Sequence, residues 1–295
     1  MTKIASISVI IAGCMWGAVG IFVRYLSSKG IDNVSIVESR MLGAFLILFL
    51  GILIYDKKLL KLQLKDLWIL VCAGVFSSLG LNYFYNLAIK EVSLSLAAIL
   101  LSTMPAFVII ISRILFKEKI TRIKLVSMIL VFLGCIFVSG IFDIGANLSA
   151  KGIFFGLMSG IGYAFLSIFV KIALNKGYNA LTVNLYCFLV SSVLFAFFTD
   201  WSALGSAISQ SKAGMIGFLI IHSLVCAAIP YALYNFALKH IEAGKASILA
   251  SCEPVAATFF GLIIYKEYPS WIAIIGLIIV VLALVLLSKP IKTNN

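Results

Sequence analysis

Residues Tyr85–Glu118 read YNLAIKEVSLSLAAILLSTMPAFVIIISRILFKE, and Tyr234–Glu267 read YNFALKHIEAGKASILASCEPVAATFFGLIIYKE. At a constant offset of 149, Tyr85-Asn86 falls on Tyr234-Asn235, Ala88 on Ala237 and Lys90 on Lys239. The register runs on without a gap. Ala97 meets Ala246, Ile99-Leu100 meets Ile248-Leu249, Ser102 meets Ser251, Pro105 meets Pro254, and Lys117-Glu118 closes on Lys266-Glu267. An offset of 147 then aligns the start of the chain with its middle: Gly13 with Gly160, Trp16 with Tyr163, Ile21-Phe22-Val23 with Ile168-Phe169-Val170, and Lys29-Gly30 with Lys176-Gly177. Self-similarity at a fixed spacing marks a repeated structural unit. The expected division is residues 1–145 and 146–295, two copies of one unit.

The composition says what kind of unit it is. Of 295 residues, 63% are hydrophobic and 12% charged, with a mean hydropathy of +1.16. Soluble domains carry about 25% charged residues, so a water-facing surface of this size is out of reach and a soluble enzyme is excluded. Apolar stretches fall near 5–24, 34–55, 67–88, 96–115, 123–142, 152–171, 180–199, 213–238, 246–264 and 270–288. Each is about long enough to cross a hydrocarbon core of ~30 Å. The first is longer than a signal-peptide core and no small-x-small cleavage site follows it, so it is expected to stay as a span. The fold expected is an all-α polytopic membrane protein with ten transmembrane helices in two inverted five-helix repeats. Inversion follows from parity, because five spans return the chain to the opposite side.

The formal net charge is +12. The basic residues lie between apolar runs rather than along one polar face, so they read as topology signals and not as a nucleic-acid surface. On the side that holds the N-terminus there are 16, including Lys3, Lys57, Lys58, Lys117, Lys171, Lys239, Lys289 and Lys292; the other side has 6, including Arg24, Lys29, Lys90, Lys151, Lys212 and Lys266. Both termini are therefore expected in the cytoplasm, with the Lys117-Glu118 loop inside and its copy Lys266-Glu267 outside. The six cysteines all fall in apolar runs without a CxxC pair, and no metal or cofactor motif is present. No P-loop is present either, which leaves no nucleotide-driven pump.

Ionisable groups inside a bilayer are costly and by default functional candidates. Asp32, Asp56, Asp66, Asp143 and Asp200 sit at helix ends; only Glu38, Arg40, His222 and Glu253 intrude. Glu253 directly precedes Pro254, and proline opens the backbone of the turn before it. There a carboxylate can carry a proton or bind a substrate ammonium, or else pair with an arginine. Arg40 lies about ten ångströms into the second span by the 1.5 Å rise and can hold a substrate carboxylate or lock two helices together. Glu38, two residues away, faces elsewhere. His222 is a candidate relay with Glu253, the plain alternative being a buried neutral histidine. Trp16 and Tyr163 are repeat mates beside Gly13, Gly17 and Gly160, which let backbones approach. Tyr83, Tyr85, Asn86, Tyr231, Tyr234 and Asn235 load the late parts of the third and eighth spans, where symmetry-related gates would lie.

The chain resembles the EamA-domain members of the drug/metabolite transporter superfamily. The likeness rests on Met15-Trp16-Gly17, the lone Arg40, Tyr85-Asn86-Leu87-Ala88 with Ser95 to Pro105, and the Lys117-Glu118 loop. It recurs in Tyr234 to Ala237, Glu253-Pro254 and Lys266-Glu267. The resemblance implies a central cavity shared by both halves, alternating access, and movement of small metabolites, often amino-acid export.

The expected function is a secondary transporter in the cell membrane moving a small polar metabolite, an amino acid or amine, with export favoured and a proton as the coupling ion. The candidate substrate contacts are Trp16, Arg40, Tyr83, Tyr85, Asn86, Tyr163, Tyr231, Tyr234, Asn235 and Glu253, with Glu253 and His222 for the proton. The partners are a small-molecule substrate and the lipid bilayer, and the chain acts as monomer or homodimer. The competing readings are an importer of a choline-like quaternary amine and a non-transporting scaffold or receptor subunit. An intramembrane hydrolase lacks its motifs: there is no GxSxG elbow, and His222 and Ser223 point to different helix faces.

Overall fold

A computed structural model describes residues 1–92, 94–139 and 149–288. Asp143, Lys289, Lys292, the tail of the fifth apolar stretch (140–142) and the expected boundary at 145/146 lie outside the described residues, as do the side chains of Ser95 and Lys212. Every element among the described residues is helical. In chain order they are α1 Thr2–Ser28, α2 Asn33–Tyr55, α3 Leu64–Glu91 and α4 Leu96–Leu115, then α5 Arg122–Val138. After them come α6 Ala150–Asn175, α7 Ala180–Ala196, α8 Trp201–Gln210, α9 Ala213–His240, α10 Ala243–Tyr265 and α11 Trp271–Ser288.

Seven of these (α1, α2, α3, α4, α6, α9 and α10) are long and apolar enough to cross a membrane. The other three expected spans are helical where the sequence places them but shorter: α5 and α7 have 17 residues each, and the apolar part of α11 is Trp271–Leu287. The short helix α8 has no counterpart among the ten expected spans. It turns 104° away from α7 and tucks Leu204 and Ala207 against Leu26, Ile31 and Ile36.

Local chemistry sets the helix ends. Asp32 accepts from the amides of Val34 and Ser35 to start α2, Asn179 accepts from Leu181 to start α7, and Ser149 accepts from Gly152 to start α6, each an N-cap that satisfies orphan donors. The ends of α1 and α6 are closed by Gly30 and Gly177, at φ 81° and 94°. In both, the next amide reaches back to the carbonyl five residues earlier, Ile31 to Leu26 and Tyr178 to Ala173, a Schellman closure that needs left-handed backbone. Lys117 and Lys266 are the two non-glycine residues with positive φ among the described residues, 56° and 55°. These four positions are two pairs of mates in the 147 and 149 registers, so the repeat is written into the backbone as well as the sequence.

Packing carries the same symmetry. Helix α1 packs on the late part of α9 while its mate α6 packs on the late part of α3, and the mates α2/α7 and α5/α11 pack on each other. This reciprocal pattern is that of two units related by a pseudo-twofold. Where α4 and α10 approach the centre, both are broken, at Ser102-Thr103 and Ser251-Cys252, just ahead of Pro105 and Pro254. The breaks lie against mated glycines. A Cβ on Gly13 would stand 2.3 Å from Cys252 Sγ and 3.0 Å from the Ala250 carbonyl, and one on Gly160 would stand 2.9 Å from Thr103 Oγ1 and 3.2 Å from the Leu100 carbonyl.

Candidate substrate cavity and its two ends

The break in α10 makes Glu253 the first residue of a new half-helix, at its positive end, where a carboxylate is favoured. A cavity of about 510 Å³ opens before it, lined by Trp16 of α1, Arg40 of α2, Tyr85 and Asn86 of α3, Tyr163 of α6 and Tyr231 of α9 as well as Glu253. Arg40 and Glu253, from opposite repeats, thus face one space. A second cavity of about 330 Å³ lies beyond, among Ser102, Ser139, Ser247, Ser251 and Thr258 with apolar neighbours. The two share Tyr85, Leu101, Tyr163 and Glu253 as a common wall.

Neither charge in this space is tied by a close ion pair to a described residue. Arg40 makes no ion pair with any described residue, and its Nε is buried without a hydrogen-bond partner. No hydrogen bond or ion pair among the described residues engages the Glu253 carboxylate. The aromatic wall is ordered by ring packing: Trp16 meets Tyr231 edge-on at 5.2 Å, and Tyr231 meets Phe188 edge-on at 5.4 Å. Such contacts hold the rings without using their polar ends.

Seven of the sequence candidates therefore converge: Trp16, Arg40, Tyr85, Asn86, Tyr163, Tyr231 and Glu253. Four do not reach the cavities. Tyr83 is 40% exposed on the outside of the bundle. His222 is fully buried, stacked on Phe22 with centroids 5.2 Å apart and both ring nitrogens unpartnered; no hydrogen bond among the described residues joins it to Glu253. Tyr234 is buried with its hydroxyl 3.3 Å from Ser167 Oγ, and Asn235 donates to Asn184 Oδ1 at 2.5 Å. The mated Tyr-Asn pairs thus stand in opposite conditions, Tyr85-Asn86 on the open cavity and Tyr234-Asn235 packed shut. Asn33, Asn82 and Cys226 also line the larger cavity; they carry no mate in either register, and nothing in the sequence singles them out.

The ends of the repeats differ in the same sense. Glu118 is buried and accepts from the amides of Ala243 and Gly244 at 2.7 and 3.2 Å, at the start of α10. Lys124 adds an ion pair to Glu242 at 2.5 Å and lies 3.9 Å from Glu118. Lys171 donates to the carbonyls of Leu238 and Ile241 at the end of α9. Charges of both signs thus hold the α9–α10 corner at its two helix ends. The mates of Lys171 and Glu118 are Arg24 and Glu267. Among the described residues they grip no backbone, and they pair with each other at 2.5 Å, each side chain 53% exposed, with Arg24 lying 4.6 Å over the Tyr265 ring.

Residues 3–140 and 150–289 each match the EamA-like transporter family. The chain belongs to that family. Relatives include an uncharacterized transporter of Archaeoglobus fulgidus, 26% identical over 90% of both chains. The riboflavin transporter ImpX of Fusobacterium nucleatum is 25% identical over 79% of this chain and 80% of its own. A solved crystal structure superposes with a TM-score of 0.79, covering 96% of this chain and 95% of its own at 15% identity, which speaks for the fold alone. This EamA-family chain is a multi-pass membrane transporter protein with two family repeats.

Proposed function

We propose that the chain is a secondary transporter of the cell membrane that moves a small zwitterionic metabolite of the amino-acid class by alternating access, with export favoured. The observation that carries this is one cavity holding an unpaired guanidinium and an unpaired carboxylate, Arg40 and Glu253. A substrate carboxylate matches the planar fork of Arg40. Its ammonium matches Glu253, aided by the aromatic faces of Trp16, Tyr85 and Tyr231. A proton competes with the ammonium for the Glu253 carboxylate, which links substrate binding to pH; His222, away from the cavity, is left the structural role of a neutral buried side chain. The smaller cavity takes the substrate side chain.

Alternating access is supported by the unequal state of mated parts. In a pseudo-twofold pair of repeats, exchanging the two local conformations turns one opening into the other. With ten spans and both termini cytoplasmic, as the Lys and Arg distribution favours, Glu118 and Tyr234-Asn235 close the cytoplasmic end, and the cavity at Tyr85-Asn86 faces outward. A choline-like cation leaves Arg40 uncompensated, and a mere scaffold has no use for unpaired buried charge, so both readings are less well supported.

The test is counterflow in proteoliposomes with a panel of amino acids, choline and riboflavin, the last because a relative is named for it. Exchange of an amino acid that stops with Arg40→Gln supports the reading. Exchange of choline or riboflavin alone overturns the substrate class.

A further inference from the structure

Glu38 is the one intruding acid that the substrate cavity does not use. It is 1% exposed, on the same turn of α2 as the cavity residues Ile36, Val37 and Arg40 but not itself on the cavity wall. Its Oε1 accepts from Ser192 Oγ at 2.7 Å, and its Oε2 has no partner among the described residues. The titratable groups on its own helix and on the helices packed against α2 include Arg40, Tyr55, Arg24, Tyr25, Tyr186, Cys187, His222, Cys226 and Tyr231, with Asp32 and Asp200 beside Ser35 at the start of α2. None is hydrogen-bonded or ion-paired to it: Arg24 holds Glu267, Tyr186 donates to the Leu60 carbonyl, and Arg40 faces the cavity. The lysines of the Lys57–Leu60 turn lie at the opposite end of α2.

An ionised carboxylate buried with one hydroxyl and no cation is far costlier than the neutral acid in the same place. Its single partner is also informative. Glu38 belongs to the first repeat and Ser192 to the second, on the mated helices α2 and α7 that pack across the pseudo-twofold. The contact bridges the two repeats, so a displacement of one repeat against the other acts on it directly.

We propose that Glu38 is a proton-binding site coupled to the repeat exchange. The proton sits on Oε2 in the conformation seen here, taken up on the side to which the Asn33–Arg40 face of the cavity opens. It is released on the other side when α2 and α7 slide and the carboxylate gains access to water. The proposal rests on the transport reading for its use, but not for its first test. Infrared difference spectra of detergent-purified protein at pH 7, wild type minus Glu38→Gln, will show the carbonyl stretch of a protonated carboxylic acid. Ser192→Ala will shift that band, and Glu253→Gln will leave it in place. Absence of the band in folded, monodisperse samples overturns the proposal. In proteoliposomes Glu38→Gln will reduce the dependence of net flux on an imposed pH gradient to the part that Glu253 carries, while counterflow persists; unchanged gradient dependence likewise overturns it. Failure of every panel compound to exchange in the wild type bears on the transport reading alone and leaves the infrared result standing.

Discussion

Glu118 and Glu267 occupy the same position in the two repeats, yet Glu118 is buried on the amides of Ala243 and Gly244 while Glu267 stands half-exposed against Arg24. Identical residues at mated backbone positions, both following a left-handed lysine, are thus caught in two different states. One chain holds both arrangements of the mated position at once.

Loosening the buried member should shift the balance between those states. Glu118→Gln keeps the size but not the charge, and hydrogen bonds to charged groups are worth about 1.5–3 kcal/mol each. A loss of 1–2 kcal/mol changes a two-state ratio on the order of 5–30-fold. Cysteine placed at Ser167 or Asn184, behind the closed Tyr234-Asn235 pair, should therefore react faster with a small maleimide in the Glu118→Gln background. Equal rates would mean that this corner does not hold the end shut.

Arg40 offers a second measurement. Its Nε is already buried and unpartnered, so removing the guanidinium relieves the free protein while depriving a bound carboxylate. Arg40→Gln should raise the KM for carboxylate-bearing substrates at least about tenfold, the equivalent of roughly 1.4 kcal/mol. Arg40→Lys should restore little of it, because an ammonium lacks the planar fork.

At the α10 break, the space is set by Gly13. A methyl there would sit 2.3 Å from Cys252 Sγ, and overpacking a tight contact typically costs about 1–3 kcal/mol. Gly13→Ala should lower the midpoint of thermal unfolding in detergent, and Gly13→Ala with Cys252→Ala should recover part of it. Gly20, with open space around its Cβ position, is the control at which alanine should be neutral.

Topology can be settled by labelling. With the six native cysteines replaced, single cysteines at Lys117 and Lys266 should react with an impermeant maleimide from opposite sides of sealed vesicles. Labelling from the same side would falsify the inverted arrangement and the alternating-access reading with it.

Much of this arrangement was legible in the residues because duplication prints each constraint twice. The 147 and 149 registers pick out Gly30 with Gly177 and Lys117 with Lys266, and these prove to be the positions where the backbone turns left-handed. The rarity of charge in the spans pointed to Arg40 and Glu253, which the fold brings to one cavity. What escaped is what a linear pattern does not hold. Tyr83 and Tyr85 read alike in the sequence, but only Tyr85 lines a cavity; α3 runs as π-helix over Phe76–Tyr83, and α9 does so over Leu224–Ala228. Each π turn adds a residue and rotates the faces that follow, so a 3.6-residue projection loses its aim there. The partner of Glu38 lies 154 positions away, beyond any local pattern. The Tyr234-Asn235 pair was legible as a mate of Tyr85-Asn86, but which of the two is closed depends on conformation, not on sequence.

The half-exposed pairing of Arg24 with Glu267 has a consequence for how the molecule senses its surroundings. Counterions shield charges in open water within about 8 Å at physiological ionic strength but scarcely touch those wrapped in protein. Added salt is therefore expected to loosen the Arg24–Glu267 tie and leave the buried Glu118 corner unchanged. On the alternating-access reading, the ionic strength of the medium on that side would tune the opening of that end alone.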